Sequence, residues 1–68
     1  MFAVLEIQSG SQMAVLVSTY ADMNSALSKF YQTMVSATQS AVPKHTVAII
    51  DEVGMIVKKE TVFHEVEA

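Results

Sequence analysis

Residues 45–51, HTVAIID, hold Val47, Ala48, Ile49 and Ile50 in one unbroken apolar run. Successive side chains of a strand point to opposite faces, so a strand with one wet face alternates apolar and polar residues. This strand is apolar on both sides, and the fold must cover both. The same holds upstream. In residues 2–8, Ala3, Leu5 and Ile7 share one face while Phe2 and Val4 share the other; in residues 13–20, Ala14 and Leu16 oppose Met13, Val15 and Val17.

Between these strand segments the period changes. From residue 22 to residue 40, Ala26, Leu27, Phe30, Tyr31, Met34, Val35 and Thr38 recur at three- and four-residue spacing, which predicts one helix with a single apolar stripe. Asp22 or Asn24 supplies the N-cap, and Pro43 closes the helical region. The turn SGSQ at 9–12 makes a hairpin of the first two strands. DEVG at 51–54, with Gly54 free to take a left-handed conformation, makes a second hairpin of 45–51 and 55–63. The expected fold is α+β: a ββαββ order over a single domain, residues 1–68, forming one four-stranded antiparallel sheet with one helix across one face. One helix cannot shelter two faces. The expectation is a homo-oligomer, a dimer or higher, in which sheets pack face to face about a two-fold axis or edge strands pair across subunits.

Size points the same way. A chain of 68 residues buries only about 60% of its unfolded surface and is marginal as a monomer. Without cysteine it has no disulfide, thiolate metal site or thiol nucleophile, and two histidines, His45 and His64, do not close a zinc site. Association is the remaining route to stability, consistent with an apolar content of 51%. The net charge of −3 and the absence of arginine argue against a nucleic-acid binder, which needs a basic face to displace counterions. No apolar run is long enough to span a membrane, and the N-terminus lacks the basic segment of a signal peptide, so a cytoplasmic protein is expected. The adjacent Asp51 and Glu52 read as turn chemistry. With no Ser/His/Asp spacing, glycine-rich phosphate loop or metal cluster, the chain is not expected to be an enzyme or to hold a cofactor.

Several segments resemble a family of very small, mostly uncharacterised proteins encoded by bacteriophages and prophages. They are EIQ at 6–8, LVSTYADMNSALSKFY at 16–31, PKHTVAIID at 43–51, EVG at 52–54 and the closing Phe63 and His64. The resemblance covers nearly the whole chain. It departs where that family usually has an acidic residue, here Ala21, and a tyrosine followed by histidine, here Phe30 and Tyr31; no role for a helical histidine transfers. The resemblance implies a host bacterial cytoplasm and a protein that acts by binding. Some phage proteins of this size are sponges, homo-oligomers that sequester nucleotide-derived defence signals.

The residues expected to hold such a ligand at a site between subunits are Lys44, His45, Tyr31, Phe63, His64 and Tyr20. Lys44 would meet a phosphate, His45 would donate to a ribose or phosphate oxygen, and Phe63 with His64 would stack on a base. All but Phe63 have a structural alternative. Lys44 and a protonated His45 stabilise the negative end of the helix; Tyr20 and Tyr31 pack their rings in the core with hydroxyls in water; His64 is solvated. Lys58, Lys59 and Glu60 guard an exposed edge. The expected function is an anti-defence sponge without turnover. The alternative is an interaction module that binds a host protein through its apolar sheet face or an edge strand.

Overall fold

The structure, a computed structural model, describes residues 1–10 and 12–63. Its order is β1 (Phe2–Ser9), β2 (Met13–Tyr20), α1 (Met23–Thr38), β3 (Lys44–Asp51) and β4 (Ile56–Phe63), the ββαββ arrangement expected from the sequence. All four strands form one antiparallel sheet in the order β2-β1-β3-β4. The two hairpins are thus joined through their first strands, and β2 and β3 run parallel on either side of β1. A parallel pair needs a crossover, and α1 supplies it.

Local chemistry fixes the ends of the elements. The Asp22 side chain accepts the Ser25 backbone N–H at 3.0 Å and the Ser25 hydroxyl at 2.9 Å, capping α1; Asn24 lies inside the helix. The helix stops at Thr38 rather than at Pro43, with the Gln39 N–H turned back onto the Ser36 carbonyl at 3.1 Å. In the β3–β4 turn, the Asp51 carboxylate accepts the N–H groups of Val53 and Met55 at 3.0 and 2.9 Å. Gly54 sits at φ +86°, where a side chain is strained, and its N–H reaches the Asp51 carbonyl at 3.0 Å.

The core lies between α1 and the two central strands. Val4, Val47 and Ile49 meet Ala26 and Phe30, with Phe2, Tyr20, Met23, Leu27 and Met34 packed around them. The helical stripe is centred differently from the sequence expectation: Thr33 and Ala37 are buried, whereas Tyr31 and Val35 are 54% and 63% exposed. The apolar band on α1 is wider than the contact, and the helix turns its Ala26–Phe30–Thr33–Ala37 row inward. Small residues at 26, 33 and 37 bring the helix backbone close to the sheet, and the Thr33 hydroxyl is satisfied by the Lys29 carbonyl at 2.8 Å.

The other sheet face is uncovered by any described element. Ala3, Leu5, Ile7, Ala48 and Ile50 lie at its centre, with Met13, Val15 and Val17 along β2 and Phe63 at the end of β4. Val15, Val17 and Phe63 are 55%, 57% and 71% exposed. Four strands of eight residues make a surface about 19 Å wide and about 26 Å long, roughly 500 Å². Lys44, Thr46, Lys59 and Thr61 share this face, so its apolar part is the β2–β1 half with Ala48 and Ile50, a patch of the kind that marks an interface.

Candidate functional site

On the helix side of the sheet, alternation places Val4, Glu6 and Gln8 of β1 beside His45, Val47 and Ile49 of β3, with Glu6 opposite Val47 and Gln8 opposite His45. This puts a carboxylate and an imidazole under the C-terminal half of α1. His45 is 1% exposed, and its Nδ1 lies 2.8 Å from Glu6 Oε2 while its Nε2 lies 3.1 Å from the Val42 carbonyl oxygen. Both of those partners are acceptors. The Glu6 side chain is 17% exposed, so the pair is largely withdrawn from water.

Three adjoining depressions lie along the same side, two between α1 and β2 and one between α1 and β1, with volumes of about 270, 200 and 210 Å³, and Lys29 lines every one. The first adds Tyr20, Ser25, Ser28 and Gln32; the second adds Leu16, Val17, Ser18 and Thr33 over Val4 and Glu6; the third adds Gln32, Thr33 and Ser36 beside Glu6. The first and third linings are mostly polar, the second is mainly apolar, and Lys29 shares the second and third with Glu6, the carboxylate held by His45. Hydroxyls, an amide and an ammonium group can hold a small polar ligand, but they lack the nucleophile–base pairing that catalysis needs. A further depression of about 570 Å³, lined by Ser28, Tyr31, Gln32, Val35 and Ser36, follows the outer surface of α1 alone.

The six residues expected to converge on a ligand do not share one place. Lys44 and Phe63 are paired in register at one end of the sheet, on the uncovered face, where Lys44 also opposes Ser9. Tyr20 is at the opposite end, on the helix side, opposite Phe2. His45 is not at a rim: it is buried, and atoms of its own chain engage both ring nitrogens. Tyr31 lies outside the core, its ring edge-on to Phe30 with centroids 5.4 Å apart, and Lys58 Nζ sits 5.7 Å from the Phe30 centroid and 5.9 Å from that of Tyr31. His64 lies outside the described residues. Of the six, only Tyr20 lines the Lys29 depressions. Glu6, Lys29, Gln32 and Thr33 were missed. The signal for Glu6 was present, since strand alternation sets it on the same face as Val4.

Among the described residues no group of three or more histidine, aspartate or glutamate side chains is placed to hold a metal ion, and no described helix is long and apolar enough to cross a membrane. No family model, curated protein or solved structure matches this chain.

Proposed function

We propose that this chain is a non-catalytic binding protein of the bacteriophage type it resembles, working in the host cytoplasm as a homo-oligomer and acting by contact with a protein target. The observation that carries the reading is the uncovered apolar sheet face. A chain with so small a core gains most by closing that face. A second copy laid on it buries roughly 500 Å² of projected sheet on each side, about 1,000 Å² for the pair, the size at which specific interfaces begin. The oligomer then presents its helices outward, with Tyr31 and Val35 exposed, as the surface for a host protein. Affinity capture from host lysate tests the target. One partner recovered in stoichiometric amount, and lost with Tyr31→Ala plus Val35→Ser, supports the reading; a wild-type eluate that matches the empty matrix overturns it. For the homo-oligomer, Leu5→Lys places a charge at the centre of the face and is expected to lower the particle mass while leaving the circular dichroism unchanged.

A second reading, sequestration of a nucleotide-derived signal, draws its support from the depressions that share Lys29 and the hydroxyl and amide groups around it. Isothermal titration with cyclic ADP-ribose isomers and cyclic dinucleotides tests it. Binding that disappears in Lys29→Glu favours sequestration, and flat heats for every compound remove it.

A further inference from the structure

The two edges of the sheet are built differently. On β4, Lys58, Lys59 and Glu60 stand in sequence and the pairing with β3 shifts register at Ile49/Ile50; charges and irregularities of this kind keep edges from pairing. β2 has neither device. Its sequence MAVLVSTY carries no charge, proline or glycine, and its pairing with β1 runs unbroken from Ser9↔Met13 to Phe2↔Tyr20. Its residues are also exposed on both faces: Val15 and Val17 on the uncovered side, and Leu16, 51% exposed, on the helix side. Stacking of sheets accounts for Val15 and Val17 but leaves Leu16 in water.

We infer that β2 is an association edge that pairs antiparallel with the β2 of a second copy, giving a continuous eight-stranded sheet. The absence of charge fits a self-complementary seam, since every β2 side chain meets another neutral one; the same operation on β4 would bring lysines close to lysines, which destabilises cross-strand pairs. A two-fold axis that pairs a strand antiparallel with itself stands normal to the sheet, so both helices lie on one side. The axis of α1 runs over β1 and β3, about two strand spacings, roughly 9.6 Å, from the seam. The two helices therefore lie about 19 Å apart, and with helix diameters of about 10 Å they leave a trough some 9 Å wide above Leu16 and its symmetry mate. Two of the depressions lined by Lys29 include residues of β2 and so border this trough, and the second copy contributes its own Lys29 to the opposite wall. The edge contact is about 26 Å long and about 10 Å deep, well below the area of a stable interface, so it adds to the face contact and does not replace it. The inference rests on the homo-oligomer reading and extends it to an assembly of four chains.

The cysteine-free sequence permits a direct test. In antiparallel pairing, facing residues point to the same side, so a strand paired with itself brings one residue opposite its own copy at about 4.5–5.5 Å between Cα atoms, within disulfide range. Single cysteines at positions 14, 15, 16, 17 and 18 are oxidised in turn. One position giving a disulfide-linked dimer while its two neighbours stay monomeric on a denaturing gel supports the inference; no cross-link at any position, or equal cross-linking at all five, overturns it. Leu16→Lys, which spares the uncovered face, is expected to halve the particle mass by light scattering with the circular dichroism unchanged, and an unchanged mass contradicts the edge seam. Leu5→Lys reports on the face contact instead, so loss of one interface is distinguishable from loss of the other.

Discussion

Removing either partner of the Glu6–His45 pair should destabilise the fold, but unequally and less than additively. In His45→Leu the Glu6 carboxylate loses the contact at 2.8 Å and the Val42 carbonyl loses its donor at 3.1 Å. Breaking a buried pair from one side costs about 3–5 kcal/mol, and the partial exposure of Glu6 sets the expectation at the lower end, about 3 kcal/mol. In Glu6→Leu the imidazole loses the carboxylate contact at 2.8 Å and keeps the Val42 carbonyl contact at 3.1 Å, a smaller loss of about 1–2 kcal/mol. The double variant removes both polar groups together. It should cost about 2 kcal/mol rather than the ~5 kcal/mol that addition gives, because neither charge nor imidazole is left unpaired. A domain of this size has on the order of 3–10 kcal/mol of stability, so urea unfolding at fixed protein concentration resolves these differences. Additive costs in the double variant, or a Glu6→Leu loss as large as that of His45→Leu, would refute the reasoning.

Three further outcomes follow from the same geometry. Phe30→Ala opens a cavity at the centre of the core and should cost about 3–5 kcal/mol, enough to abolish cooperative thermal unfolding in near-ultraviolet circular dichroism. Gly54→Ala forces a side chain into the left-handed region at φ +86° and should cost about 1–2 kcal/mol in the same urea assay, although the added methyl meets no atom within 4 Å. The Asp22 carboxyl is held below its ordinary value near 3.8 first by the Ser25 backbone N–H and then by the Ser25 hydroxyl. Its contribution is full above that ordinary value and is lost as pH falls through the lowered one, so acid titration of the urea midpoint should be flatter in Asp22→Ala than in the parent.

The element order was legible because the patterns do not overlap: short unbroken runs of strand formers bounded by turn residues give way to three- and four-residue spacing between Asp22 and Thr38. The split of the first three strands into two apolar faces was equally plain, since it needs only the pleat. What could not be read was which strands pair across the hairpins. Placing β1 between β2 and β3 depends on contacts far apart in sequence, and that placement is what sets Glu6 beside His45 beneath the helix. The histidine looked like a rim residue because PKH follows a helix end; alternation with Val47 and Ile49 was the contrary sign. The expected helix stripe held the core residues Ala26, Leu27, Phe30 and Met34 but was too wide on one side and left out Thr33 and Ala37 on the other, for a different reason. Tyr31 and Val35 extend the apolar band sideways, and period alone does not say which row faces the sheet; the small residues Ala26, Thr33 and Ala37 decide it, because they admit the closest approach.

The account turns on whether the apolar sheet face is closed by another copy of the chain. Light scattering coupled to size exclusion, run from millimolar to micromolar concentration, measures this directly. A particle of at least twice the 7.4 kDa chain mass, persisting at the lowest concentration, is the predicted result. A stable, cooperatively folded species at the single-chain mass across the whole range would contradict it.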